Sequence, residues 1–466
     1  MKRIIATLSV VLLVAGGPAS AEPGDYSTLQ ILVNLVSPPP ANNPVTPAQA
    51  NDDYPLLVNP AGFDDGFDPS LYYTWQTVQL HPDTDAVCGN GSPYKFFVNR
   101  APTTSNMVVF MEPGGACWDY ESCTGGSLLG ARNPNGVPDD YLALDNFSTG
   151  LSSPFIFRFH PYSRTKVQAW TMVYVPYCTG DVYTGDSIAE YTSADGTDTI
   201  LWHHNGLRNV RAVIAWLKNN IERPVQMLST GCSAGGTGSL SNYYHLRRDM
   251  APDLGFMLND SGPIVSAVAN AGAGTPSPSY PLHTQIRDVW GLDAASPGEM
   301  APLVYLAEIL PGFDTDDMGS ISTALASQYP NDRLGHTHFW QDYNYSRYSY
   351  EDFYPFINQA PSPAVGEFYT RLLWWLDTVS LVQQLAPLPN YGVYIPNNRD
   401  LNDSHCTTIV DFRHGDIQEA GLELEDFIDS LLDGTGPVLN AVELDWSADF
   451  AKPQDPLYEL IDQLLL

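Results

Sequence analysis

Ser233 lies in the pentapeptide Gly231-Cys232-Ser233-Ala234-Gly235. A short apolar run, Val225-Gln-Met-Leu-Ser229, comes before it, and a small-residue segment with helical potential comes after it. Few folds accommodate that order. A serine presented at a sharp strand-to-helix turn sits in strained backbone and needs flanking positions nearly free of side chains. Gly231, Gly235 and Gly236 meet that need. The pentapeptide therefore reads as a nucleophile elbow. Taken alone it would also suit a plain glycine turn, but the run that precedes it favours the elbow.

Other apolar runs end in the same way, at polar residues. Met107–Met111 leads into Glu112-Pro-Gly-Gly, and Thr171–Val175 into Pro176-Tyr-Cys178. Phe256–Leu258 leads into Asn259-Asp260-Ser-Gly, Leu334–Trp340 into Gln341-Asp342, and Tyr391–Ile395 into a polar loop containing His405. An amphipathic helix is predicted over Leu207–Asn219, with Val210, Val213, Ile214 and Leu217 on one stripe. Strands alternating with helices imply an α/β fold. Its central sheet is mostly parallel and flanked by helices, with chemistry at the carboxyl ends of the strands. The long stretch between Asp260 and Asp342 has Pro and Gly punctuation and apolar segments such as Leu303-Val-Tyr-Leu306. It is expected to form a cap-like insertion.

The amino terminus points to export. Lys2 and Arg3 precede an apolar run from Ile4 to Ala15, and Ala19-Ser20-Ala21 fits a small-residue cleavage site. The run is too short to span a bilayer core of about 30 Å. A signal peptide is expected over 1–21, an extended Pro/Asn-rich arm over 22–60, and a single catalytic domain over 61–466. Six cysteines in an exported chain predict disulfides. Cleavage would remove two of the 21 basic residues and none of the 53 acidic ones, leaving 19 against 53, a net charge of −34. Such a surface repels nucleic acid and anionic membranes. A soluble monomer that inserts in no membrane is expected. No CxxC pair or HExxH occurs, so neither a metal nor an organic cofactor is expected.

A serine nucleophile needs backbone N–H donors for the tetrahedral oxyanion. One is expected from Ala234, the rest from the glycine-bearing loop Glu112–Cys117. Four ordered segments resemble the pectin acetylesterase family, which includes Notum: Met111-Glu-Pro-Gly-Gly-Ala-Cys117, Pro176-Tyr-Cys-Thr-Gly-Asp-Val-Tyr-Thr-Gly185, Gly231-Cys-Ser-Ala-Gly-Gly-Thr-Gly238 and Asn259-Asp-Ser-Gly262. That resemblance implies an α/β-hydrolase fold, a triad in the order Ser, Asp, His, and oxyanion donors at Gly114, Gly115 and Ala234. Pro113 stands where the family has glycine, and Ala116 where it has an aromatic residue, with Trp118 shifted past Cys117. The pocket beside the donors is therefore expected to differ.

Among ten histidines, His405 follows the last strand-like run, where this fold places its base; His414 is the nearest rival. Cys232 adjoins Ser233 and Cys406 adjoins His405. A hydrogen-bonded Ser–His pair would bring those cysteines within disulfide reach. Cys232 free and buried is the alternative. Cys117 and Cys123 are close enough to close a small loop, which leaves Cys88 with Cys178. For the acid, Asp260 has the sharper motif, but it follows the strand directly after the nucleophile strand. Asp342 comes one strand later, the fold's usual place, and Tyr329-Pro330 ahead of it matches the family. Asp342 is the expected acid and Asp260 the alternative; with Asp342 as the acid, Asp260 is expected to shape the pocket floor by hydrogen bonds.

The reaction so read is ester hydrolysis through an acyl-enzyme. The family name favours O-deacetylation of a polysaccharide. A lipid or aromatic ester is the second choice, because the acidic surface opposes a polyanionic glycan. Trp340, Tyr343, Tyr345, Tyr348, Tyr350, Phe353, Tyr354 and Phe356 gather around Asp342 and would stack on sugars, line an acyl pocket or simply fill the core. A catalytically inactive binding module is the reading from another class.

Overall fold

The computed structural model describes residues 57–127, 129–142, 153–268, 277–293, 301–444 and 455, 456 and 458. The expected signal peptide and all of the arm except 57–60 lie outside the described residues.

Nine strands form one sheet: β1 (Trp75–Gln79), β2 (Lys95–Asn99), β4 (Thr171–Val175), β3 (Met107–Met111), β7 (Gln226–Cys232), β8 (Leu254–Asp260), β9 (Arg333–Thr337), β10 (Tyr391–Ile395) and β11 (Asn440–Val442), in that spatial order. From β4 to β11 every pairing is parallel, while β2 runs antiparallel to both β1 and β4. This is the α/β-hydrolase arrangement. Parallel strands covered on both faces read as continuous apolar runs. All five residues of β3, β4 and β10 are accordingly buried. These strands were legible for that reason. β1 alternates half-buried and buried residues, and the separate hairpin of β5 (Ser187–Thr192) and β6 (Thr199–His204) alternates too, so neither forms an apolar run.

Nine helices matter to the site. They are α1 (Gly206–Asn220), α2 (Ala234–Ser241), α3 (Tyr243–Met250), α4 (Tyr280–Val289), α5 (Pro302–Ile309), α6 (Ser320–Gln328), α7 (Tyr343–Tyr350), α8 (Pro363–Leu385) and α9 (Leu424–Leu432). Val210, Val213, Ile214 and Leu217 of α1 are all buried, as the stripe predicts. Helices α4, α5 and α6 fall between β8 and β9, the stretch expected to form a cap. β9 ends at Thr337, not Trp340. Beyond it the chain leaves the ladder but still follows its neighbour, with Trp340 N–H donating to Pro396 O and Gln341 N–H to Asn397 O. Asp342 is delivered by this irregular extension and caps α7, accepting a bond from Tyr345 N–H.

Candidate active site

β3 and β7 are adjacent and parallel, with Met111 opposite Gly231. The loops that follow them therefore leave the sheet side by side. Ser233 is the residue between β7 and α2, with φ 56° and ψ −123°. A non-glycine residue there is strained and persists only where its surroundings over-determine it. Here they do, because backbones crowd the turn. A Cβ on Gly235 would lie 2.0 Å from Met111 O, one on Gly231 2.4 Å from the same oxygen, and one on Gly262 2.3 Å from Ser233 O. The glycines are required by close approach, which the sequence pattern alone only suggested.

Ala234 N–H opens α2, and the first N–H groups of a helix have no partner within it. Among the described residues, Gly114, Gly115 and Ala234 make no hydrogen bond through their N–H groups. Gly115 has φ 54°, and a Cβ on it would lie 2.2 Å from Leu129 O. The loop is braced by a group that sequence reasoning quoted but gave no role. Glu112, 1% exposed, accepts bonds from Arg132 Nε (2.8 Å), Asn133 Nδ2 (3.2 Å), Tyr177 N (2.8 Å) and the Tyr141 hydroxyl. Arg132 in turn gives its N–H to Gly114 O. The Cys117–Cys123 disulfide closes the far side of the loop.

His405 and Asp342 are brought together. His405 Nδ1 lies 2.8 Å from Asp342 Oδ2 and 3.0 Å from Oδ1, and the pair is buried. Burial disfavours the imidazolium of His405, but the adjacent Asp342 charge and hydrogen bond outweigh it and raise the pKa above the ordinary value. Burial pushes the Asp342 carboxyl up, while His405 and Tyr345 N–H draw it down. A carboxylate on Nδ1 leaves Nε2 as the nitrogen that accepts a proton.

Asp260, expected to shape the pocket floor by hydrogen bonds, directs those bonds to the loop after His405. Its carboxylate accepts bonds from Thr407 N (2.8 Å), Thr407 Oγ1 (3.0 Å), Thr408 N (2.8 Å), Thr408 Oγ1 (2.7 Å) and Ser261 Oγ (2.9 Å). Asp260 thus clamps the loop just after the histidine. Arg399, also buried, holds the same loop by its carbonyls, donating to Cys406, Thr407, Ile409 and Asp411. Thr407, Thr408 and Arg399 were not singled out in the sequence. No local pattern marks them: the partner of both threonines, Asp260, is distant in the chain, and the Arg399 guanidinium bonds only to backbone carbonyls, which leave no trace in side-chain identity.

A disulfide joins Cys232 to Cys406, with Cα atoms 5.6 Å apart. A ring nitrogen of His405 lies within 4.8 Å of both sulfurs. The third bridge is Cys88–Cys178. The rival His414 lies beside Asp455 and Tyr458.

Next to the elbow is an apolar cavity of about 890 Å³ of empty space, its mouth included. Thr237, one turn beyond Ser233, lines it together with Tyr345, whose ring centroid is 6.4 Å from that of His405. Its depth is built from the insertion: Leu282, Ile286, Leu303, Leu306, Phe313 and Ile321. Of the aromatic group around Asp342, Tyr345 and Tyr348 face this cavity, while Tyr350 is core.

Residues 69–289 match the family model described as Pectinacetylesterase. The chain resembles the pectin acetylesterase and Notum family. The pectinacetylesterase match includes Gly114, Gly115, Ser233, Ala234 and Asp260 and stops short of Asp342 and His405. The palmitoleoyl-protein carboxylesterase notum1a of Danio rerio is 24% identical over 168 residues, which cover 35% of this chain and 31% of that protein. Pectin acetylesterase 4 of Arabidopsis thaliana is 27% identical over 188 residues, covering 37% of this chain and 42% of the relative. The matched stretch thus spans less than half the length of either relative. Both are carboxylic ester hydrolases by name. The crystal structure of the Wnt deacylase Notum from Drosophila aligns with a TM-score of 0.47 and 16% identity, over 78% of this chain and 94% of that one.

Proposed function

We propose that this chain is an exported serine carboxylesterase that works through an acyl-enzyme. Ser233 is the nucleophile, His405 the base and Asp342 the group that fixes the His405 tautomer, with Gly114, Gly115 and Ala234 donating to the oxyanion. The observation that carries this reading is the buried His405–Asp342 pair tethered by Cys232–Cys406 to a strained serine. In the first half-reaction His405 Nε2 takes the Ser233 proton as Oγ attacks the ester carbonyl. The imidazolium then protonates the departing alkoxide. In the second, His405 takes a proton from water, which attacks the acyl carbonyl and releases the acid and Ser233. No metal or organic cofactor is needed for these steps.

The finer reading, drawn from the Arabidopsis relatives' name, is O-deacetylation of a polysaccharide. The apolar cavity favours a second reading, an ester whose acyl group is larger than acetyl. A p-nitrophenyl ester chain-length series, run beside acetylated polysaccharides, separates the two by where kcat/KM peaks. Ser233→Ala is expected to abolish hydrolysis of every ester that the wild type turns over. A wild type inert on the whole panel would return the chain to the binding-module reading.

A further inference from the structure

The cavity is not uniformly apolar. Most polar groups on its wall are already used inside the protein. The Thr184 hydroxyl donates to Asp181 O, Ser241 to Gly238 O, Ser349 to Tyr345 O and Tyr345 to Pro263 O. Ser279 donates to Asp377, and the His245 ring bonds Arg211. The Tyr348 hydroxyl makes no hydrogen bond among the described residues, but its side chain is partly exposed and water can serve it.

His283 is the exception. It lies on α4 between the wall residues Leu282 and Ile286, and it is 7% exposed. Among the described residues its imidazole makes no hydrogen bond. Its ring nitrogens are not closed off from the cavity, so a group that enters can bond them. Asn242 Oδ1, on another wall residue, is a buried atom without a donor among the described residues.

The chemistry of the ring limits what that partner is. Burial, reinforced by Arg287 one turn along, pushes the His283 pKa down to about 4. The imidazole is therefore neutral near pH 7, with one donor and one acceptor nitrogen. A carboxylate or phosphate would lose its hydration among leucines and isoleucines, with no cation on the ring to offset that loss. A hydroxyl both donates and accepts, so it suits either tautomer and carries no charge into the cavity.

We infer that His283 is the specificity-determining residue of a hydroxyl subsite, and that the cavity takes an apolar acyl group bearing a neutral hydroxyl away from its ester. This rests on the larger-acyl reading above. An unsubstituted chain would fill the same space and leave the ring unpaired, so discrimination is expected to favour the hydroxylated ester. A site built to bond a hydroxyl rejects the analogue that lacks it far more strongly than an apolar pocket rejects a small change in bulk.

The test compares methyl octanoate with methyl 6-, 7- and 8-hydroxyoctanoate, and methyl cinnamate with methyl 4-hydroxycinnamate. Kinetics are run on the wild type, and calorimetric binding on Ser233→Ala protein. At least one hydroxylated ester is expected to exceed its parent by about tenfold or more in kcat/KM and in affinity. His283→Leu should erase that ratio while still hydrolysing the parent, and His283→Gln should restore part of it. Parent esters turned over as well as every hydroxylated one overturn the inference and leave the esterase reading standing. A preference that survives His283→Leu overturns it too. Binding with a His283-dependent preference but without hydrolysis supports the subsite and removes the esterase reading.

Discussion

Replacing Asp342 by Asn keeps the size of the side chain and removes its charge. Two things follow for His405, which faces it at 2.8 Å. An amide nitrogen turned toward Nδ1 stabilises the tautomer with the proton on Nε2, where the base must be empty. The imidazolium formed during attack also loses its counter-charge. A change of this kind costs about 10⁴-fold in kcat in a comparable triad. The same substitution at Asp260 predicts a different result. The amide that replaces that carboxylate would still accept two of the four bonds from Thr407 and Thr408 through its one oxygen, and the threonine hydroxyls can turn away. The main loss is one backbone N–H left facing an amide nitrogen, about 1–3 kcal/mol. Even if all of that fell on the transition state, at 1.36 kcal/mol per tenfold it would slow kcat by about 5- to 150-fold. The two variants should therefore differ by roughly 10² or more, with Asp260→Asn the more active. kcat on p-nitrophenyl acetate measures this, with thermal melts to show that both variants fold. Asp342→Asn retaining activity while Asp260→Asn falls by about 10⁴-fold would refute the assignment.

Four further outcomes are expected. His405 must be neutral to act, and its pKa is raised, so kcat/KM should fall as pH drops through a midpoint above 6.5. Removing the Asp342 charge should move that midpoint down; an unmoved midpoint would place the titration elsewhere. Replacing Cys232 and Cys406 together by Ala should cost about 2–5 kcal/mol in denaturant unfolding, with a fall in kcat as the base loop loosens. Gly235→Ala forces a methyl to within 2.0 Å of Met111 O, so a drop in melting temperature and near-complete loss of activity are expected. The buried His336 has its pKa pushed down by burial to about 3. The unfolded chain protonates it below about 6.5, so it costs about 1.36 kcal/mol of stability per pH unit on acidification from there, a slope that His336→Phe should reduce.

What the sequence disclosed follows from range of interaction. Ser233 was visible because the elbow needs glycines at fixed short offsets. The parallel strands were visible because burial on both faces leaves them apolar throughout. Asp342 could be reached through strand order, although β9 stops earlier than its apolar run, and Asp342 sits on an irregular extension capping α7. Cys232 and Cys406 were readable as a pair because each adjoins a catalytic candidate. The clamp on the base loop was not, since Asp260 and Thr407 are far apart in the chain and meet only where β8 ends beside that loop. Glu112 was hidden for a similar reason: its partners come from Arg132, Asn133, Tyr141 and Tyr177, which no spacing rule connects. His283 could not be told from any other histidine until the wall around it was known.

The Cys232–Cys406 bridge spans 174 residues of sequence, and the whole stretch that builds the cavity wall over α4, α5 and α6 falls inside that span. A single cut of the chain anywhere inside that span would leave two fragments still joined covalently through Cys232 and Cys406, beside Ser233 and His405. The nicked protein would migrate as one species until reduced. It would keep its nucleophile and base in register while the wall relaxed, so a single cut would change which esters fit before it changed whether any are cleaved.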